Sequence, residues 1–193
     1  MRRAEIVAVG ASLGGLDALS TLLSELPATF GCPIVVAQHR RPDTDARLAE
    51  LLSRRCALTV CEPDDKQPLV AGQVFIAPAN YHLLVERDAV SLSTDPPVLY
   101  ARPSIDVLFE SVADVYADAA VGVMLTCANE DGALGSKAIK SAGGRVLVQD
   151  PATAESSVGP KATLAATPVD GVLGLVEIAT LLQKWAGTRP GSP

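Results

Sequence analysis

Aromatic residues make up only 4% of this 193-residue chain, histidine occurs twice, and charged residues account for 20%. With so few rings, a core must be built from Ala, Val and Leu, which suits helices laid on a parallel sheet whose central strands read as continuous aliphatic runs. Long apolar stretches are also missing. The longest, Ala119 to Leu125, falls far short of the ~20 residues a membrane-spanning helix requires. Met1-Arg2-Arg3-Ala4-Glu5 leads into a short aliphatic run and then glycines, without the apolar segment of a signal peptide, so the expected location is the cytoplasm. Cys32, Cys56, Cys61 and Cys127 stand in apolar surroundings without the C-x-x-C and histidine spacing of a zinc set. They read as reduced core thiols, and neither a metal nor a cofactor is expected.

Positive charge is the minority sign. Sixteen Lys and Arg against 22 Asp and Glu leave a net charge of -6, which argues against a nucleic-acid duplex as the main partner. What the chain does have is 48% hydrophobic residues and a mean hydropathy of +0.27, which exclude a disordered polymer. Its length corresponds to one domain, large enough to bury roughly two thirds of its unfolded surface.

Aliphatic runs alternate with helical spacing along the chain. Ile6 to Val9 reads as a strand, followed by Leu16, Leu19, Leu22, Leu23 and Leu26 at helical intervals until Pro27. Pro33 to Ala37 is a second strand, with a helix around Ala46 to Leu52 and a short strand at Leu58 to Val60. Val74 to Ala77 is a fourth strand, and His82 to Val85 with Val90 to Leu92 resembles an antiparallel hairpin. A helix over Ile105 to Val115, a buried strand to Leu125, a helix over Ala133 to Ala142, a strand over Arg145 to Gln149 and a last helix over Val176 to Trp185 complete the pattern. Asp150 to Pro160 reads as a surface loop. The expected fold is therefore α/β, a doubly wound and mostly parallel sheet flanked by helices, with an antiparallel hairpin. The expected domain runs over 1–186, with a loose tail over 187–193.

Chemistry concentrates where strands end. Gly10-Ala11-Ser12-Leu13-Gly14-Gly15 fits G-x-S-x-G at a strand-to-helix turn, the context that exposes a serine hydroxyl. A phosphate-cradling loop is the rival reading, weakened because Ser12 stands where the dinucleotide fingerprint wants glycine and the second strand ends in Gln38-His39 rather than an acid. A purely structural tight turn is the third. A nucleophilic serine needs a base, and only His39 and His82 are available. His39 closes the second strand and should emerge at the same edge as Ser12, whereas His82 reads as a half-buried histidine bonded to backbone. Asp131, after the Leu125 strand end, is of the type that orients an imidazole. Taken alone it reads as an N-cap of the helix that follows.

These residues resemble the chemotaxis protein-glutamate methylesterases, the CheB-type catalytic domains. The likeness is carried by Gly10 to Gly15, Val35 to His39 and Leu125 to Gly135, and extended by Phe75 to Pro78, Tyr81 to Leu84, Arg102 to Phe109 and Gln149 to Glu155. The resemblance implies a Ser12-His39-Asp131 triad and main-chain amides near Leu13 and Ala128 as oxyanion donors. It implies hydrolysis of glutamate γ-methyl esters, with a methylated chemoreceptor or similar acidic helical protein as substrate and a separate regulatory protein as a further partner. No receiver domain is expected before the nucleophile. The chain departs from the family pattern at Leu13, at Cys127-Ala128-Asn129 and at Arg40-Arg41. The arginines read either as solvated loop cations or as cleft-mouth groups that steer an acidic substrate, in which case they should lower the pKa of His39. Glutamine deamidation and a catalytically weak signalling or scaffold module are the alternative functions.

Overall fold

Residues 2–41 and 47–188 are described by the computed structural model. In chain order the elements are β1 (Ile6–Ala11), α1 (Gly15–Ser24), β2 (Ile34–Gln38), α2 (Arg47–Ser53), β3 (Thr59–Cys61), β4 (Gln73–Ile76), β5 (His82–Glu86), β6 (Ala89–Ser93), α3 (Ile105–Tyr116), β7 (Ala120–Met124), α4 (Ala133–Ser141), β8 (Arg145–Gln149), α5 (Val158–Ala166), β9 (Gly171–Leu173) and α6 (Leu175–Ala186).

β1, β2, β7 and β8 are buried at every position, and strand periodicity sends their alternate side chains into two separate cores. Val7, Val9 and Ala11 pack with Leu19, Leu22, Leu23 and Leu182 of α1 and α6. Ile6 and Ala8 face the other way, onto Leu108, Phe109 and Val112 of α3 and Ile139 of α4. Helices therefore cover both faces, which is why no central strand shows an amphipathic pattern.

The main sheet has the order β3-β4-β2-β1-β7-β8-β9, and each of its pairings is parallel. The chain builds outward from β1 through β2 to β3 and β4, then returns to start again at β7 on the other side of β1. That reversal leaves a crevice beyond the carboxyl ends of β1 and β7, the usual ligand position in an open α/β sheet. The hairpin β5-β6 is a separate two-stranded sheet whose Leu83, Val85 and Val90 join the α3-side core.

The loop expected over Asp150 to Pro160 is shorter than its sequence suggests, because α5 begins inside it at Val158 and β9 follows. Pro160, the last residue of that expected loop, stands in the first turn of α5, where its missing N–H would have had no partner. β9 is a three-residue edge strand on β8, too short to show periodicity. Of the tail expected over 187–193, Thr188 bridges Phe30 and accepts a hydrogen bond from Arg3. Residues 189–193, like Ala46 of the expected second helix, lie outside the described residues. Among the described residues no helix is long and apolar enough to cross a membrane.

Candidate active site

Ser12 and His39 leave neighbouring strands at the same level. The last paired residues of β1 and β2 are Ala11 and Gln38, and the next rung is His39 N–H donating to the Ala11 carbonyl at 2.9 Å. Behind Ser12 the chain turns through Gly14, whose φ of +76° is open to glycine at little strain and starts α1. The loop is tied to the far side of the crevice. Ser12 N–H donates to the Thr126 carbonyl at 2.9 Å, the Thr126 hydroxyl donates to the Leu13 carbonyl at 2.7 Å, and Ser156 N–H donates to that hydroxyl at 2.9 Å. Thr126 thus joins three loops, a role that no local pattern of residues marks.

His39 Nε2 lies 2.7 Å from Asp131 Oδ2. A neutral ring that donates Nε2–H there keeps Nδ1 as its lone-pair nitrogen. The hydroxyl of Ser12 itself makes no hydrogen bond with another described residue; bonds of this kind commonly tighten only with substrate present. Burial disfavours the charged ring of His39, but the Asp131 bond and the neighbouring Cys127 thiol outweigh it and raise the pKa to about 9. This corrects the expectation that Arg40 and Arg41 lower it: the carboxylate in contact sets the direction of the shift.

Asp131 is fully buried, and it does not cap the helix that follows it. Its carboxylate accepts instead from α3, at 2.8 Å from the Ser104 hydroxyl, 2.7 Å from Ile105 N–H and 2.9 Å from Asp106 N–H. Burial alone would push its pKa up, but the His39 bond and the two amides hold it below the ordinary carboxylate range. The exchange is reciprocal, because Asp106 on α3 accepts from Gly132 N–H at 2.9 Å and Gly135 N–H at 2.7 Å at the start of α4. Each carboxylate caps the other's helix and meets its positive end. Burial raises Asp106 to about 6 against these two amides, with Asp131 adding to the rise.

His82 is 1% exposed, more deeply buried than its sequence position implies. Its Nε2–H donates to the Pro96 carbonyl at 3.2 Å, and its Nδ1 accepts from Ser104 N–H at 3.2 Å.

The turn at Cys127-Ala128-Asn129 is held by Cys127 N–H donating to the Ser156 carbonyl at 3.1 Å and Gly159 N–H donating to the Cys127 carbonyl at 2.9 Å. Cys127 is buried, and it fits because Gly159 opposes it: a Cβ at 159 would come within 2.6 Å of the Cys127 Cβ. The amides of Leu13 and Ala128 donate to no other described residue, so both are available to an oxyanion. A cleft of about 500 Å3 opens beside His39, lined among others by Arg40, Arg41, Tyr100, Arg102 and Asn129. Arg40 lines it with its charge already paired. Its side chain is 5% exposed, 2.7 Å from Glu62, and it donates to the Ala77 carbonyl at 2.6 Å. Arg41 is exposed.

Residues 7–182 match the family model described as CheB methylesterase. A Leptospira interrogans protein whose name proposes protein-glutamate methylesterase and protein-glutamine glutaminase activity is 46% identical over 92% of this chain and 92% of its own length. The protein-glutamate methylesterase/protein-glutamine glutaminase of Trichodesmium erythraeum is 42% identical over 91% of this chain, which spans 51% of that protein. The crystal structure of the Thermotoga maritima CheB methylesterase catalytic domain superposes with a TM-score of 0.89 at 31% identity, covering 94% of this chain and 98% of that one.

Proposed function

Because the chain belongs to the CheB methylesterase family, we propose that it hydrolyses glutamate γ-methyl esters of a protein substrate, with Ser12 as nucleophile, His39 as base and Asp131 as the group that orients and stabilises the imidazolium. The observation that carries this reading is the convergence at the β1/β7 crevice: Ser12 and His39 on adjacent strand ends, with His39 bonded to a buried carboxylate at 2.7 Å.

His39 Nδ1 takes the Ser12 proton as the oxygen attacks the ester carbonyl, and the amides of Leu13 and Ala128 hold the resulting oxyanion. The imidazolium then protonates the departing methoxide, so methanol leaves and the glutamyl group remains on Ser12. Water repeats the sequence, giving up its proton to His39 as it adds to the acyl carbon, and collapse releases glutamate and the serine hydroxyl. Asp131 stays ionised throughout, anchored by α3.

The names of the relatives support a second activity at the same site, glutamine deamidation. There the bond broken is C–N and ammonia leaves, a harder departure that relies more on proton donation by His39. A chemoreceptor or similar acidic helical protein in the cytoplasm is the substrate proposed, and Arg41 at the cleft mouth is the group proposed to attract it.

A fluorophosphonate probe tests the reading against a scaffold role. It should label the parent at Ser12 with one equivalent, and Ser12→Ala should lose both labelling and methanol release. Hydrolysis by Ser12→Ala within about tenfold of the parent would sink the serine mechanism.

A further inference from the structure

Gln38, the last residue of β2, is 8% exposed and has no part in the mechanism above. Its carboxamide nitrogen donates to two carbonyls, that of Ser12 at 2.8 Å and that of His39 at 3.0 Å. One NH2 group therefore joins the main chains of the nucleophile and the base. Its other end is costly to keep. Oε1 is buried without a donor among the described residues and lies against the backbone of Gly15, where any Cβ would collide with it.

Stability alone does not account for this side chain. A buried acceptor with no partner destabilises a fold, which offsets part of what the two donated bonds contribute. Local choices of this kind mark functional positions. The backbone carbonyls it holds belong to residues whose separation sets the proton transfer, and the Ser12 hydroxyl makes no hydrogen bond with another described residue that would fix that separation. We infer that Gln38 is a positioning residue that sets the Ser12–His39 distance, with Gly15 keeping the space its carboxamide needs. The inference rests on the serine mechanism proposed above.

The test compares the parent with Gln38→Met, Gln38→Glu and Gly15→Ala, scoring kcat per fluorophosphonate-titrated serine, KM on a γ-methyl-glutamyl peptide, and Tm. Loss of the two hydrogen bonds should lower kcat by about ten- to a hundredfold while KM stays within about threefold, because a misplacement of reacting groups acts on the chemical step. Gln38→Met, which loses the two donated bonds and the unpaired acceptor together, should shift Tm only slightly. Gly15→Ala, which displaces the carboxamide without altering it, should show the same kcat loss, and Gly15→Ala/Gln38→Ala should be no slower than Gln38→Ala alone. A kcat per titrated serine within about twofold of an active parent in Gln38→Met or Gly15→Ala overturns the proposal and leaves the triad standing. A parent that neither labels nor hydrolyses overturns the triad reading itself.

Discussion

The two histidines of this chain sit on the same hydrogen-bond network and have opposite chemical prospects. His82 is 1% exposed and has both ring nitrogens satisfied, Nε2–H by the Pro96 carbonyl and Nδ1 by Ser104 N–H. His39 has one nitrogen on Asp131 and lines the open cleft. Both lead to one carboxylate, His39 directly and His82 through Ser104, whose hydroxyl donates to Asp131 at 2.8 Å. An imidazole does chemistry only with a lone pair the fold leaves available, and a second imidazole serves by holding the first one's partner still.

The sharpest way to break this comparison is to remove each ring in turn. His39→Ala should lower ester hydrolysis by about a million-fold, since members of a triad act as a unit. Methanol release measured at substrate saturation checks this, and residual activity within about tenfold of the parent would put His39 on the same footing as His82.

Asp131→Asn comes next, with a loss of about ten-thousandfold in kcat. It should also move the pH profile. His39 accepts a proton only when neutral, so activity rises with pH through its pKa, which stands raised from 6.5 to about 9. The acid limb of the parent should therefore lie above 6.5, and without the carboxylate's charge it should shift to lower pH. A limb that stays in place in Asp131→Asn would mean that the rise does not come from Asp131.

His82→Leu should show the inverse signature. Leaving Ser104 N–H without its acceptor costs about 1–3 kcal/mol of stability, measurable by denaturant titration, while the acid limb stays where it is and kcat falls by no more than about tenfold. A shifted limb would show that His82 reaches the base electrostatically.

The smallest effect separates the two arginines. Arg41→Gln should reduce kcat/KM on an acidic protein substrate at low salt by a few fold, with the difference gone near 1 M salt, where the Debye length falls to ~3 Å. Hydrolysis of a small neutral ester should not change. Arg40→Gln should instead lower Tm, because it unpairs Glu62 and the Ala77 carbonyl. Equal losses on both substrates in Arg41→Gln would point to damage in the loop rather than lost steering.

Much of the site is legible in the order of residues along the chain. A glycine-flanked serine after an aliphatic strand, the histidine at the end of the next strand and an aspartate after a third are local signals, each set by residues within a turn of one another. Helix α5 is hidden by Pro160, and Thr126 and Gln38 carry no signal as isolated letters, since a threonine or glutamine at a strand end has many ordinary roles.

The sequence by itself determined the layers, the strand-end loops and the three residues on which the proposed chemistry turns, because periodicity and turn chemistry act over a few residues. Only the tertiary structure decided what each polar group faces. Asp131 reads as a cap for the helix beside it, yet its partners are 25 to 27 residues away at the start of α3 and 92 residues away at His39. Arg40 reads as a free cation, yet it is matched to Glu62, 22 residues on. In a buried site each donor and acceptor is claimed by whatever the fold brings within about 3 Å. That proximity is set by strand order and helix docking, which no short window of sequence contains.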